Sequence, residues 1–192
     1  MIRRHHVIAT VSVFALVLVS ACSDDEQATA RVTFDSTIER GTHKSTECPE
    51  SGPWLVIGAF GNPDAVPPVP VKPIDNGAAD QQGNVSIGCS VKPSGDGFSV
   101  SASATLSGAT GGTFTIEGQF KPTGEQQNIT AVLGAKGRSY RQTTCTVVYD
   151  TELQTVAAGR VWGHLKCPDA EAPSIQRICE IDAHFRFENC NQ

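Results

Sequence analysis

The sequence predicts an all-β fold, an antiparallel β-sandwich or barrel of about nine strands reinforced by disulfides. Three observations lead there. Beyond residue 31, apolar and polar residues alternate over most of the chain, which is the period of a half-buried strand. Turn signals rich in Gly and Pro recur about every ten residues. Six cysteines are spread through the same stretch: Cys48, Cys89, Cys145, Cys167, Cys179 and Cys190. No segment there sustains a helical period, and only Thr151 to Ala158 has room for a helical turn or two.

The chain begins differently. Arg3 and Arg4 precede an apolar run from Val7 to Val19, and Val19-Ser20-Ala21-Cys22 places two small residues directly before a cysteine. The run is shorter than the roughly 20 residues of a spanning helix. This arrangement resembles the signal peptide and lipobox of bacterial lipoproteins, and the resemblance covers this segment only. It implies a signal helix over residues 1–21, removed on export, and a diacylglycerol on Cys22, the new N-terminus. A plain secretory signal or a retained membrane helix are the rivals, but neither needs a cysteine at that place. The implied address is the outer face of a bacterial envelope, anchored to the membrane through lipid. Ser23, rather than Asp, follows the cysteine, so the resemblance favours the outer membrane over the inner.

Residues 22–30 then form the lipidated terminus and a short polar tether carrying Asp24, Asp25 and Glu26, and residues 31–192 form one domain. The eight residues Ser23 to Ala30 reach about 26 Å when extended, which holds the domain close to its membrane. Loss of Arg3 and Arg4 lowers the basic count from 15 to 13 against 20 acidic residues, a formal charge near −7. Such a surface makes no phosphate-binding cluster, so nucleic acid is excluded as a partner. It gains nothing from anionic lipid either, so the acyl anchor must do the holding.

The strands can be taken in order. Val32, Phe34 and Ile38 oppose Thr33, Asp35 and Thr37. Trp54 to Phe60 is apolar on both faces, which suits a central strand or one capped by the following loop. That loop, Gly61 to Gly83, holds Pro63, Pro67, Pro68, Pro70 and Pro73, so it should run extended as a crossover between sheets. Val85, Ile87, Cys89 and Val91 alternate with small polar residues, and after KPSGDG the pattern resumes with Phe98, Val100, Ala102, Ala104 and Leu106. Phe114, Ile116 and Phe120 follow the SGATGG turn. Residues 128–133, 139–149, 160–167 and 179–187 complete the set. Neighbours joined by short turns pair antiparallel.

An even cysteine count in an exported chain argues for disulfides rather than for zinc, and no Cys-x-x-Cys occurs. Cys89, Cys145, Cys167 and Cys179 share the apolar phase of their strands and should point inward. The expected pairs are Cys167–Cys179, closing the last hairpin, with Cys89–Cys190 and Cys48–Cys145 for the other four. Opposing Cys167 to Cys179 sets Lys166 against Glu180 and His164 against Asp182, both charge-compatible. It also sets Arg160 against Arg186. A slip of two sets Trp162 against Arg186, Arg160 against Glu188 and His164 against His184. Pattern leaves both registers open.

One outward constellation has a chemical look: His164, Asp182 and His184. Two imidazoles and a carboxylate suit a divalent metal. The preferred reading is a solvated face, because no nucleophile stands beside them in sequence. His43 stands in a polar loop and is expected to be exposed. The Ser99, Ser101, Ser103 and Thr105 ladder, with Thr113 and Thr115, reads as the wet side of a sheet. Trp54 is expected in the core and Trp162 partly exposed. Nucleophile-elbow, zincin, P-loop and dinucleotide motifs are missing from the sequence. The expected function is therefore a structural or binding role at the envelope, without catalytic residues or cofactor, with an envelope protein or glycan as partner. The alternative is a metal-binding protein or hydrolase using the His/Asp face.

Overall fold

The computed structural model describes residues 28–81 and 83–192. The expected signal helix of residues 1–21, Cys22 and most of the tether lie outside the described residues. The domain is all-β. Its strands are β1 (Arg31–Glu39), β2 (Pro53–Ile57), β3 (Ile74–Asp75), β4 (Ala79–Asp80), β5 (Gly83–Ser94) and β6 (Gly97–Leu106). They continue as β7 (Gly112–Phe120), β8 (Gln126–Ala135), β9 (Arg138–Val148), β10 (Thr155–Ala157), β11 (Arg160–Ala172) and β12 (Arg177–Glu188). Nine of the twelve are the long strands that alternation marks out; β3, β4 and β10 are additions of 2, 2 and 3 residues. Residues 155–157 thus form a strand where a helical turn had room.

All twelve join one antiparallel sheet, in the order β2-β1-β12-β11-β9-β8-β7-β6-β5-β4, with β10 on β11 and β3 on β1. The sheet curls until its ends meet, giving a nearly closed barrel. Exposed strand edges invite foreign strands, and here the seam is stitched from two sides. Along β1, β2 covers the stretch from Phe34 and β3 covers Arg31 and Val32. The chain then crosses to β5, where the Gly77 amide donates to Val85 O at 2.7 Å and the Val85 amide to Ala78 O at 2.8 Å. At the other side, the Asn191 amide donates to Cys89 O at 3.0 Å, beside the Cys89–Cys190 disulfide.

The interior is filled with side chains. Phe34 of β1 stacks on Phe114 of β7 at 4.2 Å between ring centroids, and Phe114 also meets Phe185 and Phe187 of β12 at 6.0 and 6.3 Å. Those strands are far apart in the sheet, so their contact is across the barrel. Trp54 is buried as expected, with Tyr140 edge-on at 5.9 Å and Lys136 Nζ at 4.7 Å over its ring.

The proline-rich loop links the two ends of one sheet instead of two separate sheets. It folds back on β2, which is an edge strand capped by it: Ala59 bridges Lys72 and Asn62 bridges Val69. Gly58 permits that reversal, since its φ is 68° and a Cβ there would lie 2.3 Å from Lys72 O.

The disulfides are Cys48–Cys179, Cys89–Cys190 and Cys145–Cys167. All six cysteines are paired and buried, and Cys89–Cys190 is as expected. The pairs Cys167–Cys179 and Cys48–Cys145 are not formed. The last hairpin is longer than alternation suggests: β11 runs on to Ala172, through a bulge between Cys167 and Ala170. Pro168 and Asp169 both face outward there, so the strand resumes out of phase. Cys179 therefore opposes Ala170, and Cys167 opposes Ile181. Cys167 instead lies one residue beyond the Lys166–Thr146 pair, next to Cys145 on β9, with 4.5 Å between Cα atoms. Cys179 is left to tie down Cys48 in the loop after β1.

Candidate functional site

The register of β11, β12 and β1 decides which outward side chains become neighbours. The structure has the slipped alignment, with Trp162 opposite Arg186 and His164 opposite His184. Adding β1 gives three outward rows: Trp162–Arg186–Thr33, His164–His184–Asp35 and Lys166–Asp182–Thr37. Side chains directly opposite one another in adjacent antiparallel strands interact. The middle row thus brings two imidazoles together.

Their rings stack at 4.1 Å with an interplanar angle of 21°. His164 is held from both sides: Nε2 lies 2.8 Å from Asp182 Oδ1, and Nδ1 lies 2.7 Å from Asp150 Oδ2. On His184, Nδ1 lies 3.3 Å from Asp35 Oδ1 and Nε2 lies 3.9 Å from Asp150 Oδ2. Phe60, arriving from the loop after β2, sits edge-on to His184 at 6.1 Å. The His164 side chain is only 12% exposed, against 40% for His184. The hydrogen bond to Asp35 raises the His184 pKa above its ordinary value; burial opposes this, and the charges of Asp35, Asp182 and Asp150 add to it.

Asp150 owes its place to a clamped turn. Its amide donates to Gln154 Oε1 at 2.6 Å, and the Gln154 amide donates to Thr151 O at 3.1 Å. Just before it, the Tyr149 hydroxyl donates to Lys121 O at 2.9 Å, and burial pushes that phenol up to about 12. The turn cannot swing freely while these bonds hold.

His164, Asp182 and His184 are therefore brought together, as the sequence suggests, in a cross-strand cluster in which His164 is mostly covered while the Asp182 and His184 side chains stay 41% and 40% exposed. Sequence reasoning missed Asp150 and Asp35 as members. Asp35 shows as an outward residue of the first strand, yet only the pairing of β1 with β12 reveals its neighbour, 149 positions away. Asp150 sits after a strand end, where alternation carries no signal. His43 is not a free loop residue either: Nε2 lies 2.8 Å from Pro168 O, with Glu47 and Asp169 at 3.8 and 3.5 Å.

The row beside the histidines is unusual in another way. Thr33 Oγ1, Trp162 Nε1 and Arg186 Nε are buried without hydrogen-bond partners among the described residues. Arg186 lies over the Trp162 ring at 4.9 Å and binds Glu188 at 2.7 Å, which Arg31 holds at 2.8 Å. Trp162 is half-buried, as its phase suggests.

Neither imidazole is hydrogen-bonded to a serine, threonine or cysteine among the described residues, so the arrangement has ligands and acid–base groups but no activated nucleophile. Comparison with protein-family models, with curated proteins and with solved structures finds no match.

Proposed function

We propose that this chain is a lipid-anchored binding module of a bacterial envelope, non-catalytic, with its ligand-facing surface on the outside of the barrel. The observation that carries the reading is the filled interior. Phe34, Phe114, Phe185 and Phe187 occupy the space that a barrel carrying a small ligand inside would keep open. Binding chemistry is then left to the outer walls, of which the β1–β12–β11 wall is the richest in half-buried polar groups. Three disulfides suit an oxidising compartment outside the cytoplasm. The described chain reaches β1 at Arg31, nine positions after Cys22, so an anchor there would hold this wall near the membrane.

Fractionation tests the anchor. The wild-type chain should partition with the outer membrane and begin with an acylated Cys22, and Cys22→Ala should be released from membranes. An unmodified Ser23 terminus would overturn the anchor. Affinity capture from envelope extracts tests the binding role: a partner retained by the folded protein, and lost when the outer wall is altered, supports it. Capture insensitive to that wall argues against the assignment of the surface.

A further inference from the structure

We propose that Asp150, His164 and His184 form a binding site for one divalent transition-metal ion of the zinc class, backed by Asp182 and Asp35. The inference stands on the wall's geometry and does not depend on the lipid anchor. One donor atom from each of the three residues can be chosen so that all lie within 4.8 Å of one another. Donors around a tetrahedral ion with bonds of about 2.0–2.1 Å stand about 3.3 Å apart. The His164–Asp150 contact at 2.7 Å must open slightly and the His184–Asp150 contact at 3.9 Å must close slightly. Parallel rings cannot both aim at one ion, so His184 must tilt out of the stack, which its 40% exposure allows.

The stronger argument lies behind the ligands. A metal-bound imidazole characteristically donates its other ring N–H to a carboxylate, which fixes tautomer and orientation. Both imidazoles have that partner already. With Nδ1 of His164 turned to Asp150, Nε2 meets Asp182 at 2.8 Å; with Nε2 of His184 turned to Asp150, Nδ1 meets Asp35 at 3.3 Å. Two histidines from adjacent strands thus face one carboxylate from the front and a separate carboxylate each from behind. A surface ion-pair network has no need of that symmetry. Three carboxylates around two imidazoles favour a cation, and imidazole nitrogen selects zinc, copper or nickel over magnesium or calcium. Three protein ligands leave one coordination position for solvent or for a ligand group.

Calorimetric titration of the full chain with Zn²⁺, its disulfides intact, tests the site. One ion per chain is expected, together with the visible absorption of tetrahedral Co²⁺ when Co²⁺ is the probe. Asp150→Ala, His164→Ala and His184→Ala should each abolish binding, whereas Asp182→Asn and Asp35→Asn should weaken it by about 10–100-fold. His43→Ala, altering the other histidine flanked by carboxylates, should leave affinity unchanged. No saturable binding would overturn the proposal, as would binding retained in His184→Ala or lost in His43→Ala. His184→Ala carries the decision if His164→Ala fails to fold, because the His184 ring is the more exposed of the two and circular dichroism can verify the variant.

Discussion

Two outer walls of the barrel are made by the same alternation and end up chemically unlike. On β5, β6 and β7 most outward residues, Lys92, Glu117 and Gln119 apart, are short: Ser86 faces Thr105, Ser90 faces Ser101, Ser103 faces Thr115 and Thr105 faces Thr113. Their hydroxyls bond locally, as in the 3.1 Å contact of Thr105 with Thr113. On β11, β12 and β1 the outward residues are rings, guanidinium groups and carboxylates, overhung by Phe60 and by the clamped turn at Asp150. Polarity alone does not distinguish the walls. Register does, by deciding which long side chains share a row and can shield one another from water.

Phe114→Ala should have the largest effect, because it breaks the comparison by removing what both walls rest on. Phe114 leaves β7, under the hydroxyl wall, and packs on Phe34, Phe185 and Phe187 under the histidine wall. Truncating a buried phenylalanine costs about 3–5 kcal/mol. Urea denaturation should show that loss, and zinc affinity should fall with it. A loss well below 1 kcal/mol would mean that the two walls do not share a core.

The next effect separates the walls. Cys145–Cys167 joins β9, which delivers Asp150, to β11, which carries His164. Replacing both cysteines by alanine should cost about 3 kcal/mol for a closed loop of 22 residues. It should also weaken zinc binding more than the removal of Cys89–Cys190, which closes the seam at β5. Equal effects on affinity from the two double variants would show that Asp150 is positioned by its own turn alone.

The same contrast explains what the sequence could disclose. The strands of the hydroxyl wall are legible because β6 alternates without interruption from Phe98 to Leu106, and short turns force its neighbours to pair beside it. The histidine wall is legible only in part. Its histidines stand in phase, but alternation ends the strand at Cys167 while the chain actually bulges and continues to Ala172. That single irregularity shifts the hairpin register and exchanges the disulfide partners. Asp35 reaches the site through a pairing between the two ends of the domain, which no local pattern encodes. Asp150 reaches it through Gln154, a buried polar residue in a short turn.

A smaller effect comes from titration, measured on metal-free protein. The folded-state pKa of His184 is raised above the ordinary 6.5, first by Asp35 and against its burial. Its contribution to stability is therefore complete below about pH 6.5 and is lost as pH rises through the folded value. Glu188 behaves oppositely. Burial raises its pKa, but Arg186 and Arg31 outweigh this and leave it lowered, so its contribution fades as pH falls below 4.5. Denaturation midpoints should accordingly decline from pH 6.5 upward. His184→Gln should flatten that decline, and a substitution on the hydroxyl wall should not. An unchanged slope in His184→Gln would remove His184 as its source.

Ser101→Ala should have the least effect of all, and its smallness is the informative part. Ser101 is exposed on β6 between Ser90 of β5 and Glu117 of β7, and its backbone serves the ladder whatever side chain it carries. Surface substitutions away from caps, cores and buried networks stay within about 0.5 kcal/mol. Alanine also buries no new polar group there and leaves no partner stranded, whereas loss of either imidazole strands a carboxylate. Denaturation and zinc titration of Ser101→Ala should both match the wild type. A loss above about 1 kcal/mol would mean that the hydroxyl ladder is a cooperative network rather than a wet face, and the contrast between the two walls would then be one of residue type alone.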